Sequence, residues 1–157
     1  MATPTRTLAT DQLESRLLEI KTVLGARGAV ITPRRAKLLE VLLASEVHPT
    51  VGEIHEEVRG AFPSTSLATI YNTIELLKAT GQVLEIQFSG AANRYDGRRP
   101  QPHAHLMCSR CETIEDVDLT DLEEQAQAIS ASTGYKIVGR RTDYYGICPS
   151  CQVAEEG

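Results

Sequence analysis

The fold is decided by residues 102–116, Pro102-His103-Ala104-His105-Leu106-Met107-Cys108-Ser109-Arg110-Cys111-Glu112-Thr113-Ile114-Glu115-Asp116. Two of the four cysteines and two of the four histidines of the chain fall within it. Side chains alternate across a strand with period two, so His103 and His105 share a face. Cys108 and Cys111 bracket a turn, and Asp116 lies on the strand expected to return after it. Working outward, most other unusual residues supply partners for these.

Cys148 and Cys151 repeat the CxxC spacing after 36 intervening residues. Two such turns offer four thiolates to one ion and complete a tetrahedral Zn²⁺ site with Zn–S near ~2.3 Å. Four sulfurs leave no open position, so this site is expected to be structural. A redox dithiol or free buried cysteines are the alternatives, and disulfides are disfavoured in a reducing compartment. A second constellation is His48, Asp96, His103, His105 and Asp116. Three neutral imidazoles and two carboxylates balance a divalent cation, and nitrogen and oxygen donors suit Fe²⁺ or Mn²⁺, with Zn²⁺ competing on affinity. By themselves, a histidine before proline and an Asp-Gly pair read equally well as a surface residue and a turn.

The 157 residues are enough for one domain or two small ones, and 41% are hydrophobic, so a core needs no cross-links. No apolar run approaches the length of a membrane span, and Met1 to Thr10 lacks the pattern of a secretory signal. A cytoplasmic location is the default expectation. The net charge of −5 argues against a nucleic-acid partner. The distribution weakens that objection: residues 1–97 carry 10 Lys/Arg against 11 Asp/Glu, and residues 98–157 carry 6 against 10.

Residues 1–10 are expected to be disordered. From Asp11 to Leu24, Leu13, Leu17, Leu18, Ile20 and Leu24 recur at helical spacing, and Gly25 and Gly28 end that helix. Thr32-Pro33 opens another, with Leu38, Leu39, Leu42 and Leu43 as its buried stripe. Thr50 and Glu53 form a capping box for a short helix burying Ile54 and Val58. Ser66 caps a further helix to about Ala79, with Leu67, Ile70, Ile74 and Leu77 inward and Thr69, Asn72 and Thr73 largely outward. Val83 to Phe88 and Asn93 to Tyr95 alternate as a hairpin. Helices closed by a hairpin give the order of a winged helix-turn-helix over residues 11–97. Gly97 to Pro102 is a polar Gly/Pro linker, with residues 98–102 as the hinge and residues 103–151 as a second domain. There, strands run into Cys108 and over Thr113 to Val117, and Thr120 with Glu123 caps a helix to about Ser132. Strands over Tyr135 to Arg141 and Tyr144 to Ile147 follow, then a polar tail over 152–157. The fold class is α+β.

His48-Pro49-Thr50, Ala68-Thr69-Ile70-Tyr71-Asn72, Arg94-Tyr95-Asp96, His103-x-His105-x-x-Cys108-x-x-Cys111 and Cys148-x-x-Cys151 together resemble the ferric uptake regulator (Fur) family. The likeness covers roughly residues 13–151, with motif order and spacing agreeing throughout. It implies a homodimeric, metal-dependent repressor of transcription rather than an enzyme. The expected build is a winged-helix domain followed by a small α/β dimerisation domain holding structural Zn²⁺ on Cys108, Cys111, Cys148 and Cys151.

The likeness is strongest to the peroxide-responsive repressor (PerR) branch, whose regulatory Fe²⁺ or Mn²⁺ site of three His and two Asp has counterparts in His48, Asp96, His103, His105 and Asp116. By the same resemblance, His48 or His103 is the oxidation-sensitive ligand that gains an oxygen when iron-loaded protein meets peroxide. Iron sensors often place Glu where Asp116 stands, and zinc sensors place Cys near Asp96. The partner implied is double-stranded DNA with a pseudo-palindromic operator, contacted through Thr69, Tyr71 and Asn72. Arg34 and Arg35, with Arg27 and Lys37, are candidates for phosphate contacts; each reads equally well as a solvated helix face. This chain departs from relatives in having Val30 where a basic residue precedes Ile-Thr-Pro, and Ile147 where many iron sensors have His. His55 matches no ligand and reads as a surface residue. An iron- or manganese-uptake regulator without peroxide chemistry, a metal-dependent enzyme built on the three-His, two-Asp site, and a zinc-stabilised interaction module are the other readings.

Overall fold

The computed structural model describes residues 9–154. The chain divides into two compact units, residues 1–101 and 102–157. The disorder expected for residues 1–8 and the tail residues 155–157 lie outside the described residues.

Unit 1 contains α1 (Thr10–Ala26), α2 (Pro33–Ala44), α3 (Val51–Ala61) and α4 (Leu67–Ala79), then a hairpin of β1 (Leu84–Ile86) and β2 (Arg94–Asp96). Thr10 is thus already helical rather than disordered. Gly25 stays inside α1, and the reversal waits for Gly28, whose φ of 73° suits a residue without Cβ. The caps form as the sequence prescribes: Thr32 Oγ1 accepts from Arg35 N–H, and Ser66 Oγ from Thr69 N–H. Thr50 Oγ1 accepts from Glu53 N–H while Glu53 Oε2 accepts from Thr50 N–H at 2.7 Å, closing the box. One core gathers Ile20 and Leu24 of α1, Leu38, Leu39, Leu42 and Leu43 of α2, Ile54 and Val58 of α3, and Ile70, Ile74 and Leu77 of α4.

The face of α4 differs from expectation at two positions. Leu67, in the first turn, is 43% exposed, whereas Thr73 is buried. A threonine can sit inside because its hydroxyl bonds back to the Thr69 carbonyl at 2.9 Å. His55 is not a free surface residue either: it is half-buried, and its Nε2 donates to the Thr65 carbonyl at 2.9 Å. The first strand shortens to three residues, paired Leu84↔Asp96, Glu85↔Tyr95 and Ile86↔Arg94.

A charged cluster fastens the hairpin to α4. Glu85 receives Lys78 Nζ at 2.9 Å, the Tyr95 hydroxyl at 3.0 Å and Asn93 Nδ2 at 3.2 Å. Burial alone would raise the Glu85 pKa, but Lys78 and the Tyr95 hydroxyl hold it below the usual carboxylate value. Burial, with Glu85 beside it, pushes Tyr95 up to about 12, and the hydrogen bonds that Lys78 donates to Glu85 and Glu75 raise its own pKa. A depressed carboxylate stabilises the fold above its unfolded pKa of 4.5 and loses that contribution as pH falls through the folded value. Raised Tyr95 and Lys78 contribute below 10.0 and 10.5 and lose it as pH rises further. Glu85→Gln is expected to cost about 1–2 kcal/mol at neutral pH and to flatten the loss of stability on both sides. Urea midpoints measured across pH would check this.

Unit 2 contains β3 (Ala104–Cys108), β4 (Ile114–Val117), α5 (Leu122–Thr133), β5 (Thr142–Gly146) and α6 (Pro149–Val153). Its sheet order is β4-β3-β5, with β3 antiparallel to β4 and parallel to β5. The expected Thr120–Glu123 box does not form. The helix opens after Asp121 at φ 69°, and Thr120 Oγ1 is spent on the Asp121 carboxylate. Residues 135–141 form no strand; Tyr135 is 74% and Val138 91% exposed, and β-prone residues need a neighbouring strand to pair. The strand expected from Tyr144 starts at Thr142 instead, where it can pair with β3. Gln152 and Val153, expected in a tail, are helical in α6.

Candidate metal centres

The four cysteines meet at one end of the unit 2 sheet. β3 delivers Cys108, and the turn that returns to β4 carries Cys111. That turn is closed by Glu112 N–H to the Cys108 carbonyl at 3.0 Å and Cys108 N–H to the Thr113 carbonyl at 2.9 Å. Glu112 takes a left-handed φ of 58° to make it. β5 ends beside Cys108, so that Cys148 becomes the N-cap of α6 and Cys151 lies in its first turn. The four sulfurs lie within 4.8 Å of one another.

Cys111 Sγ and Cys148 Sγ are 3.6 Å apart, far beyond a disulfide bond of about 2.05 Å. A tetrahedron with metal–sulfur bonds of about 2.3 Å has sulfur–sulfur edges of about 3.8 Å, which this separation approaches. The backbone N–H of Cys148, at 3.3 Å, leads the hydrogen bonds that pull the Cys108 thiol down to about 6. The Thr113 hydroxyl, 3.2 Å away, lowers Cys111. Hydrogen bonds to Cys148 and Cys111 push Cys151 up to about 12. This all-sulfur, closed donor set fits a structural divalent ion.

The second group in unit 2 forms on the same sheet. The register sets His105 opposite Asp116 on β4 and beside Asp143 on β5. His103 and His105 have ring centroids 4.3 Å apart. Asp116 Oδ1 lies 3.0 Å from His103 Nε2 and 3.9 Å from His105 Nε2, so two imidazoles and a carboxylate converge. Asp143 was missed by the sequence reading. Placing the strand start at Tyr144 left it in a loop, where its pairing with His105 could not be seen.

Unit 1 carries the other two expected ligands on adjoining segments. The segment before α3 runs antiparallel to β2, with Thr50 bridged to Arg94 and Tyr95 N–H donating to the Pro49 carbonyl at 3.0 Å. His48 lies two residues before Thr50 and Asp96 two residues after Arg94, so they flank that bridge on adjoining segments. Both are buried. His48 has a φ of 51°, a left-handed value uncommon for a residue with a side chain and held here by Arg94 Nη1 donating to its carbonyl at 3.2 Å. Asp96 Oδ1 accepts from the backbone N–H of Arg98 and Arg99 at 2.8 and 2.9 Å, which fixes the carboxylate. The next residue must be glycine: a Cβ on Gly97 would come 2.7 Å from the packed Leu42 side chain. Buried Arg16 clamps the same turn, its Nε donating to the Gly97 carbonyl at 3.0 Å while Nη1 and Nη2 bind Gln82.

The residues expected to read DNA sit on α2 and α4. Tyr71 is 48% exposed and Asn72 is exposed, opposite the buried stripe of α4. Thr69 is half-buried, with its hydroxyl 2.9 Å from Ser66 Oγ. Arg34 is exposed and donates to Ser64 Oγ; Arg35 is half-buried and donates to the Val30 carbonyl. Lys37 pairs with Glu40 at 3.5 Å.

Comparison with known proteins bears on the same residues. A model described as the ferric uptake regulator family matches residues 26–145. The peroxide operon regulator of Bacillus subtilis is 34% identical over 139 residues, covering 88% of this chain and 95% of its own length. The peroxide-responsive repressor PerR of Staphylococcus saprophyticus is 34% identical over 142 residues, covering 90% and 95%. The Campylobacter jejuni peroxide stress regulator superposes with a TM-score of 0.67 at 28% identity, over 86% of this chain and 98% of that one. The Helicobacter pylori ferric uptake regulator gives 0.76 at 22% identity, over 94% and 97%, a likeness of fold. The chain, with its helices closed by a hairpin and its four-cysteine cluster, belongs to the ferric uptake regulator family.

Proposed function

We propose that this protein is a metal-dependent, homodimeric DNA-binding repressor of transcription that senses peroxide. The observation that carries the proposal is the convergence of His103, His105 and Asp116 in unit 2, supported by the burial of His48 and Asp96 on adjoining segments of unit 1. Those five residues would hold one Fe²⁺ or Mn²⁺, and the four cysteines Zn²⁺. Relatives of similar length carry peroxide response in their names, which supports the same reading. Family membership also favours a regulator over an enzyme.

The ligands explain the coupling. His48 and Asp96 belong to residues 11–97, His103 and Asp116 to residues 103–151, with residues 98–102 as the hinge. A cation shared by both shifts the protein only through its preference for one arrangement. A 100-fold preference supplies about 2.7 kcal/mol, within ordinary coupling energies. Fe²⁺, held there, would supply the reducing equivalents for peroxide beside the imidazoles. By the family resemblance, His48 or His103 would be the ligand that gains an oxygen, and an imidazole carrying an added oxygen is a poorer donor.

Tyr71, Asn72 and Thr69 on α4 would face base edges, with Arg34, Arg35 and Arg27 on phosphates. Dimer symmetry then requires a pseudo-palindromic operator. Support for the dimer comes from α5, in which no residue is buried, and from exposed Ile129, Val138 and Tyr145 in unit 2. No helix among the described residues is long and apolar enough to cross a membrane.

The test is a salt-controlled DNA-binding titration with Mn²⁺ and with Fe²⁺, each with and without peroxide. Both metals are expected to promote binding, and peroxide to abolish it only with iron. Peptide mass spectrometry should then find one added oxygen on His48 or His103. Unmodified histidines despite lost binding would remove the peroxide mechanism, and peroxide-resistant binding with iron would indicate a metal-uptake regulator.

A further inference from the structure

Asp143 is a half-buried residue, its carboxylate turned largely inward, that the proposed ligand set does not use. Its side chain is 10% exposed. The parallel register of β3 and β5 sets it beside His105, with Oδ1 3.6 Å from His105 Nδ1. That separation is ion-pair range, a few tenths longer than a hydrogen bond. Arg141 Nε holds the other oxygen, Oδ2, so the carboxylate is anchored from the strand's outer end. Across the same imidazole, Nε2 faces Asp116 Oδ1 at 3.9 Å. Each nitrogen of one ring thus faces its own carboxylate, and Asp143 stands on the side away from Asp116 and His103 Nε2. From that side it cannot share an ion with them through His105 Nε2.

We propose that Asp143 is a positioning residue for the regulatory metal centre: it keeps the His105 proton on Nδ1, so that the Nε2 lone pair is offered to the cation. The inference rests on the proposed use of His105 as a ligand. A ring left to itself divides between two tautomers, and one of them has its proton where the metal must bind. A carboxylate on the far nitrogen fixes both tautomer and ring angle, and raises the basicity of the donor.

The test uses the full-length protein with its cysteine site loaded with zinc and the histidines ¹⁵N-labelled. In the absence of other metal, imidazole ¹⁵N spectra are expected to show His105 protonated at Nδ1, and Asp143→Ala to give a mixture of tautomers. Mn²⁺ affinity, titrated by electron paramagnetic resonance, should weaken about 10- to 100-fold. Asp143→Glu should restore much of both. Arg141→Ala should leave the tautomer unchanged, which separates orientation of His105 from a purely structural ion pair. Should Asp143→Ala fail to fold, Asp143→Asn retains an acceptor without the charge, and a substantial loss of Mn²⁺ affinity is still expected. An unaltered tautomer and Mn²⁺ affinity in whichever of these variants folds would overturn the proposal. His105→Ala distinguishes the two levels: if it binds Mn²⁺ as tightly as the parent, the ligand assignment itself has failed.

Discussion

Cys108→Ser is expected to unfold residues 102–154 while leaving the helices of residues 10–79 intact. Among the described residues of unit 2 the buried apolar side chains are few: Ala104, Met107, Cys108 and Ile114. Its one long helix, α5, buries nothing. So small a core rarely sustains a fold without a cross-link, a metal or a partner. Four thiolates on one zinc ion contribute on the order of 10–16 kcal/mol of apparent binding energy in small zinc domains, and that binding energy is folding energy. Removing one sulfur forfeits a large part of it and leaves three cysteines around an incomplete shell. Unit 1 has its own core of leucines and isoleucines from four helices and does not depend on the ion. Amide exchange should therefore show protection lost across β3, β4 and β5 and retained in α2 and α4, and sedimentation should show a monomer. Uniform retention of protection in the zinc-free variant would refute the structural role.

Asp96→Asn and His105→Ala should each reduce a metal-induced gain of about 100-fold in operator affinity to a few-fold at most. The two changes act for different reasons. In Asp96→Asn the amide oxygen of the new side chain would still accept the backbone N–H groups of Arg98 and Arg99, so the turn survives and only the anionic ligand is lost. Removal of His105 takes away the imidazole that β3 aims toward Asp116. Neither residue is among those expected to contact DNA, so metal-independent, low-affinity binding should persist with its ordinary salt dependence. Fluorescence anisotropy with a palindromic duplex at fixed salt, with and without Mn²⁺, reads both quantities. A full metal response in both variants would end the idea of a shared regulatory cation.

The centres were legible in the sequence to different depths. Both CxxC pairs could be matched by spacing alone, and the structure brings their sulfurs together. His103 and His105 could be put on one face from strand alternation. That His48 and Asp96 lie on adjoining segments could not be read that way, because it depends on an antiparallel bridge between residues far apart in sequence. Thr73 looked outward by residue type, yet it is buried because a local hydroxyl–carbonyl bond satisfies it. Helix caps at Thr32, Thr50 and Ser66 were correct, since each rests on contacts within four residues. The cap at Thr120 failed when the side chain found a competing partner one residue away.

What the sequence by itself determined is therefore the set of donors and the local frame that presents them: two CxxC turns, two histidines on alternate strand positions, and capped helices closed by a hairpin. Spacing and hydrogen bonding over a few residues are enough for these. Tertiary structure alone decided which distant side chains stand across from one another, such as Asp143 beside His105 and Gly97 against Leu42. Strand register and core packing are set by the whole fold, and a one-residue shift in either would present a different face and a different ligand.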